Sequence, residues 1–414
     1  MTGRLSLNEE DGSTEINRLG TGAELLSAVC DSRLPQDRVQ LNLEDMPEEG
    51  STLLPEYDGT PEEFSKQPIL RIQHTRFGCG SVSLGVRVSH SVCDARGFLQ
   101  LVEDLAEIYR GLISATPWET PLSDVFLQKP PCINSYLAGV KMSTEEGKKA
   151  LNFRPDDYGV DQQPKLETFT SDKPVTGRLL LFSRKELDAI KAAASDSHQH
   201  RWASTFEALS AHLWLSVQRA RKRYEESNTT NGTARQSEET ADLLTSLDWR
   251  SSERLGLPPR YFPNAVSEPY VTASLNNLSE ASLPRTAQII HDGLRERILA
   301  DQKDTLLWVA AQPDKRKISL RFRFNDKSFI VSQWNKLEIY GVCFDTDGQG
   351  RHMYPDRVWP PFTVASLADG LAYFLPTRTQ NDGGAGGGDI EVALSLHEPL
   401  WDILEEDGYL RRFS

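Results

Sequence analysis

Cysteine is scarce and unpatterned in this chain of 414 residues: Cys30, Cys79, Cys93, Cys132 and Cys343 are the whole set. The count is odd, and no two stand at metal-ligand or redox spacing. That argues against a disulfide framework or a zinc module and implies reduced thiols in an intracellular, cytoplasmic setting. Long apolar runs are also missing. No stretch reaches the roughly 18 residues that a membrane span requires, and the opening MTGRLSLNEEDGSTE is polar and acidic, without a signal core. The Asn-X-Ser/Thr triplets at Asn228, Asn231 and Asn277 therefore carry no meaning as glycosylation sites. Positive charge is in deficit, with 46 Lys and Arg against 60 Asp and Glu and a net charge of -14. A surface of that sign repels phosphate backbones, so nucleic acid is excluded as a general partner. The one dense basic run, Arg219–Arg223 (RARKR), follows a predicted helix and is expected to be a solvated helix end.

What is present points to a soluble mixed α/β protein. A chain this long is expected to divide into two lobes of roughly 200 residues each, and no solenoid repeat is visible. Residues 81–90 (SVSLGVRVSH) alternate, with Val82, Leu84, Val86 and Val88 on one face. Residues 98–112 switch to helical spacing through Phe98, Leu101, Val102, Leu105, Ile108, Tyr109 and Leu112. The span 81–112 is thus predicted as strand, tight turn and amphipathic helix. Residues 113–175 show little periodicity and look like a long crossover. Beyond them a strand is predicted at 177–182. Two capping boxes follow, Ser183-Arg-Lys-Glu186 and Ser204-Thr-Phe-Glu207, the second opening a helix through Arg221. A polar loop is expected over 224–240, alternating strands over 317–331, and strands at 369–377 and 389–396 joined by a glycine-rich hairpin turn at 383–388.

The chemistry concentrates in SHSVCDARGF, residues 89–98. Counting by two from Val82 puts His90 on the apolar face at the strand's end, pointing into the interior. Asp94 stands where a carboxylate caps the following helix. If buried, that carboxylate also needs a cation, and Arg250 in Ser246-Leu-Asp248-Trp-Arg250 is the candidate partner. On the residues alone, His90 is either a satisfied core histidine or a catalytic base. Cys93 lies close enough in sequence to be considered as a nucleophile, though a small buried thiol is the plainer reading. The remaining histidines (His74, His198, His200, His212, His291, His352 and His397) have no metal-binding spacing, and no metal site is expected.

SHSVCDARGF resembles the HxxxD motif of the BAHD acyltransferases, their fungal members in particular. That motif class also occurs in chloramphenicol acetyltransferase and in the condensation domains of peptide synthetases. Further segments match in order. Thr2-Gly-Arg-Leu5 resembles the family's PLAGRL entry. SLDWRSSERLGLPPRYFPNAV (246–266) resembles its D-x-R and Y-F-G-N segment, and IVSQWNKLEIYGV (330–342) its SxW segment. DIEVALSLHEPLWDIL (389–404) resembles its C-terminal strand and helix. The resemblance spans nearly the whole chain. It implies a mixed α/β fold of two chloramphenicol-acetyltransferase-like lobes with an active-site channel between them: residues 1–140 as the first lobe, 141–175 as the crossover, 176–414 as the second lobe. It further implies acyl transfer from an acyl-CoA cosubstrate to a hydroxyl or amine of a small secondary metabolite, in a ternary complex, with no permanent cofactor, by a monomer. His90 would be the general base, and Asp94 a structural support paired with Arg250. Ser332 and Trp334, with Asn264 nearby, would stabilise the oxyanion. Asp248 would be a further supporting residue, with Arg250 and Asn264. Direct transfer removes any need for Cys93 as a nucleophile.

Three departures accompany the resemblance. Cys343-Phe-Asp-Thr-Asp347 stands where the family has DFGWG, and Ala95 follows Asp94 in place of glycine. The chain also opens at a point several dozen residues into the family pattern, so an opening strand and helix on the first lobe are expected to be missing. Two further readings follow: a non-catalytic relative that acts at most as a binding protein, and a carrier-protein-dependent condensation enzyme. Against the second, Ser89 occupies the position of a second histidine.

Overall fold

The computed structural model describes residues 2–35, 43–57, 63, 65–113, 144–163, 173–195, 202–228, 239–258, 260–275, 278, 281–299, 302–346, 350–364, 366–378 and 388–414. Cys132, His198, His200, Asp347 and most of the expected turn at 383–388 lie outside the described residues.

A hairpin of β1 (Arg4–Leu7) and β2 (Thr14–Asn17) opens the chain. Three strands then form a sheet in the order β3 (Glu24–Cys30), β4 (Leu70–Phe77), β5 (Val82–Val88), with β3 parallel and β5 antiparallel to β4. Helix α1 (Ala95–Ile113) follows β5. The strand, turn and helix over 81–112 are as expected from the change of period, but the strand's inner face is the opposite one. The main-chain oxygen of Leu53 lies where a Cβ on Gly85 would be, 2.0 Å away. Only a residue without a side chain admits that approach, so Gly85 faces inward and Val82 and Leu84 face out, while Val88 at the strand's end packs on the cluster of Leu5, Ile69 and Val92. Val82 is 57% exposed and Leu84 42%. His90, two residues beyond the strand, sits in an exposed turn and does not point into the interior.

The segment 141–175 is more structured than its composition suggests. It holds α2 (Thr144–Asn152) and β6 (Tyr158–Val160). The second half of the chain is built on a six-stranded mixed sheet: β7 (Val175–Phe182), β8 (Thr240–Thr245), β11 (Tyr270–Ser274), β13 (Phe329–Gln333), β16 (Leu371–Pro376) and β17 (Ile390–His397), in the order β11-β8-β13-β16-β17-β7. Strand β13 runs parallel to both neighbours, and the other pairs are antiparallel. A short ladder of β9 (Leu247–Asp248) and β10 (Val266–Ser267) links β8 to β11. Strand β12 (Ile318–Leu320) pairs with β6, and β14 (Asp345–Thr346) with β15 (His352–Met353).

One face of the large sheet presents Phe182, Phe329, Val331, Phe374, Val392 and Leu394 to the helices. These are α3 (Arg184–Ala194), α4 (Thr205–Asn228), α5 (Leu283–Leu299) and α7 (Pro399–Asp407); α6 (Gln302–Ala311) packs on α2. Ser183 and Glu186 form the capping box that starts α3. Ser204 and Glu207 bond reciprocally ahead of α4, with Glu207 N–H to Ser204 Oγ at 3.2 Å and Ser204 N–H to Glu207 Oε2 at 2.6 Å. Helix α4 runs past Arg221 to Asn228, so the RARKR run is not the helix end, and it is solvated only in part: Lys222 and Arg223 are exposed and Arg221 is buried. Arg221 bonds Asp369 and the Ser328 carbonyl in the interior, while Arg219 and Arg223 pair with Asp407 on α7. Acidic groups distant in sequence come to rest beside the run, which the local pattern does not reveal. By the two-residue alternation of strands, the opposite face carries Ser332, Tyr373, Ala393 and Glu391.

Candidate active site

The turn between β5 and α1 is closed by Val92 N–H on the Ser89 carbonyl at 2.9 Å. Asp94 then caps α1, its Oδ1 accepting from Gly97 N–H at 2.9 Å. The carboxylate is 4% exposed and is the hub of the site. Arg250 Nη2 donates to Oδ1 at 3.0 Å and Oδ2 at 2.9 Å, and Ala265 N–H donates to Oδ2 at 2.8 Å. Arg250 is in turn spent on Asp248 Oδ1 and on the carbonyls of Tyr261 and Pro263. Asp94 thus binds two segments of the fold together. Both of its oxygens accept from Arg250, and Gly97 N–H and Ala265 N–H take up one each.

Asn264 reaches the same turn. Its Nδ2 donates to the His90 carbonyl at 2.7 Å, which commits one of the two amide N–H groups to the backbone of the turn and leaves the other. Gly97, which the sequence pattern did not single out, is a further determinant. A Cβ there would stand 1.7 Å from the Phe262 carbonyl oxygen. Helix α1 and the 260–265 segment touch main chain to main chain, which lets Asp94 reach Ala265 N–H. Arg260, with φ +65, clamps the same segment to α1 through Asp104 at 2.9 Å and through Glu107. No local signal pointed to Arg260.

Ser332 and Trp334 lie at the end of β13 and just after it. Trp334 packs with Ala95 against one buried cluster that includes Leu99 of α1 and Tyr340, so the SxW segment and the start of α1 share a core. The indole N–H of Trp334 donates to Ser332 Oγ at 3.0 Å. The expected pair of donors is thus a relay: the indole is taken, and the Ser332 hydroxyl proton is left to donate onward. The ring of Trp334 meets Tyr373 edge-on, with centroids 5.7 Å apart.

Burial, together with the neighbouring Asp94 charge, pushes the Cys93 thiol up to about 12. A thiol held protonated is a poor nucleophile. Where DFGWG was expected, Cys343 Sγ contacts the Asp345 carbonyl at 3.1 Å and His352 Nδ1 at 3.2 Å, and Arg110 of α1 bonds the Cys343 carbonyl. Among the described residues no group of His, Cys, Asp and Glu is arranged to hold a metal ion, and no helix is long and apolar enough to cross a membrane.

A family model described as "Transferase family" matches residues 1–410. Shikimate O-hydroxycinnamoyltransferase of Nicotiana tabacum is 24% identical over 98% of this chain and 83% of its own length. Rosmarinate synthase of Plectranthus scutellarioides is 26% identical over 98% and 82%. Among solved structures, F. graminearum TRI101 complexed with coenzyme A and deoxynivalenol superposes with a TM-score of 0.68, at 17% identity, over 99% of this chain and 86% of that one. Vinorine synthase superposes with a TM-score of 0.59, at 16% identity, over 97% and 78%. These neighbours share the mixed α/β two-lobe fold, and the chain belongs to the Transferase family of BAHD acyltransferases, enzymes that transfer acyl groups other than aminoacyl groups.

Proposed function

We propose that this chain moves an acyl group from an acyl-CoA thioester to a hydroxyl or amine of a small metabolite, directly within a ternary complex, with His90 as the general base. The observation that carries this reading is the exposed His90 turn, held from both sides by Asp94 with Arg250 and by Asn264. A neutral imidazole takes the acceptor's proton as its oxygen or nitrogen attacks the thioester carbonyl. The same proton then passes to the departing CoA thiolate, so none is gained or lost overall. The Ser332 hydroxyl, polarised by the Trp334 indole N–H that it accepts, is the candidate donor to the tetrahedral oxyanion. Coenzyme A in the TRI101 complexes and the hydroxycinnamoyltransferase names among the relatives support a CoA thioester as donor.

The test is turnover of acetyl-CoA and a hydroxycinnamoyl-CoA against shikimate, anthranilate and deoxynivalenol, with His90→Ala as the paired variant. Transfer by the native chain that falls at least 100-fold in His90→Ala, with the unfolding transition unchanged, is expected. Full transfer by His90→Ala removes the assignment of the base.

A further inference from the structure

The face of the large sheet that carries Ser332 and Tyr373 also carries Glu391, two residues along β17 from Ala393, the neighbour of Tyr373. By strand spacing and rise, Glu391 lies about 12 Å from Ser332 on that face. Arg357, Phe362 and Ser366 meet this part of the sheet. Phe362 packs against Gly177, the Ser366 carbonyl accepts from Ser395, and Arg357 Nη2 donates to Glu391 Oε2 at 2.6 Å. The Arg357 side chain is 3% exposed. Its Nε and Nη1 are buried and, among the described residues, meet no acceptor; the indole N–H of Trp359 is in the same state. The guanidinium carbon lies 5.7 Å from the centroid of the Trp359 ring. Gly50 also lies against that ring, where a Cβ would come within 3.0 Å of it.

Buried donors of this kind are rare because each forfeits its bond to water. Guanidinium and indole nitrogens only donate. Glu391 already neutralises the arginine, so a phosphate or carboxylate would arrive as a second anion beside it. A water or a hydroxyl would bring protons that need acceptors in turn. The chemistry that fits is an uncharged oxygen that only accepts, a carbonyl.

Building on the acyl-transfer reading, we propose that Arg357 and Trp359 form a subsite for a carbonyl oxygen on a part of the substrate remote from the transferred carbon. Two sources share that chemistry: the amide carbonyls of the pantetheine arm of CoA, and a carbonyl on the acceptor molecule. Interactions of this kind position a substrate for chemistry elsewhere.

Trp359→Phe is the decisive variant, since it removes the indole N–H while leaving an aromatic ring for Arg357 and Gly50. Arg357→Lys is the second, keeping a cation for Glu391 while removing the two unpartnered donors. Binding of coenzyme A by calorimetry, and KM for acetyl-CoA and for the acceptor turned over by the native chain, are measured in each, with the melting temperature as the control on folding. A five- to tenfold weakening for coenzyme A in both variants assigns the subsite to pantetheine. The same loss in acceptor KM alone assigns it to the acceptor carbonyl. Unchanged binding and unchanged KM values in variants that melt like the native chain overturn the proposal. A native chain that neither binds coenzyme A nor transfers acyl groups refutes instead the acyl-transfer reading on which it rests.

Discussion

Arg250 grips both carboxylate oxygens of Asp94 through a single nitrogen, at 3.0 and 2.9 Å, across 156 residues of sequence. The Arg250 side chain is 9% exposed and that of Asp94 4%. Breaking a buried pair by removing one partner strands the other charge and costs about 3–5 kcal/mol. Arg250→Met is therefore expected to lose about that much stability in urea unfolding, with turnover falling as the His90 turn loosens. His90→Ala removes an exposed side chain and is expected to shift stability by no more than about 0.5 kcal/mol. Comparable destabilisation by the two variants would show that Asp94 and Arg250 do not hold the fold as described.

Gly97→Ala tests the main-chain contact beneath the site. In an open helix, alanine would stabilise by about 1 kcal/mol over glycine. Here its Cβ would meet the Phe262 oxygen at 1.7 Å and the Phe262 carbonyl carbon at 2.7 Å, both backbone. Helix and loop must separate, at a cost of about 1–3 kcal/mol beyond the propensity gain. A net loss of stability is expected, with turnover falling as the Asp94 to Ala265 bond lengthens. A stabilised variant would mean that α1 does not lie against the 260–265 segment.

What could be read in the sequence was what local chemistry decides. The capping boxes of α3 and α4 need only residues three apart, and the Asp94–Arg250 pair followed from the need of a buried carboxylate for a cation. The inner face of β5 was misread because Leu53, far away in sequence, occupies the space over Gly85. The partners of Arg219 to Arg223 come from α7 and from Asp369, again at long range. The Trp334 indole was expected to face substrate. Its neighbour two residues back along the strand takes the N–H, a rotamer choice that no spacing rule contains.

Thiol reactivity should separate two cysteines sharply. Hydrogen bonding between Cys79 and the Ser81 side chain, and with the backbone of Ser81 and Leu34, lowers the Cys79 thiol to about 7, while Cys93 is pushed up to about 12. At pH 7.5 their thiolate fractions differ by about four orders of magnitude, and thiolate is the reacting form. Iodoacetamide followed by peptide mass spectrometry should label Cys79 in the folded chain and leave Cys93 unmodified. Labelling of Cys93 at a comparable rate would reopen its candidacy as a nucleophile.

His212 should make stability depend on pH in a defined sense. It lies in the core of α4, stacked on Tyr409 and edge-on to Phe413, with Nε2 2.9 Å from the Leu410 carbonyl. Burial lowers its pKa from 6.5 to about 4, against a smaller opposing effect of the Leu410 bond. Between those values the unfolded chain binds the proton and the folded chain does not. The contribution of His212 is therefore complete above about pH 6.5 and is lost as pH falls toward 4, at up to about 1.4 kcal/mol per pH unit. Asp157 works in the opposite direction. Burial raises its carboxyl to about 6, so its effect favours the folded state at low pH and disappears as pH rises from about 4 to 6. The raw profile mixes the two, and the comparison that isolates His212 is the native chain against His212→Phe, which keeps a ring between Tyr409 and Phe413. The stability difference between the two should shift by about 3 kcal/mol in favour of the variant between pH 6.5 and pH 4. A difference that stays constant across that window would mean that His212 is protonated in the folded core, with the Leu410 carbonyl and the aromatic rings sustaining its charge.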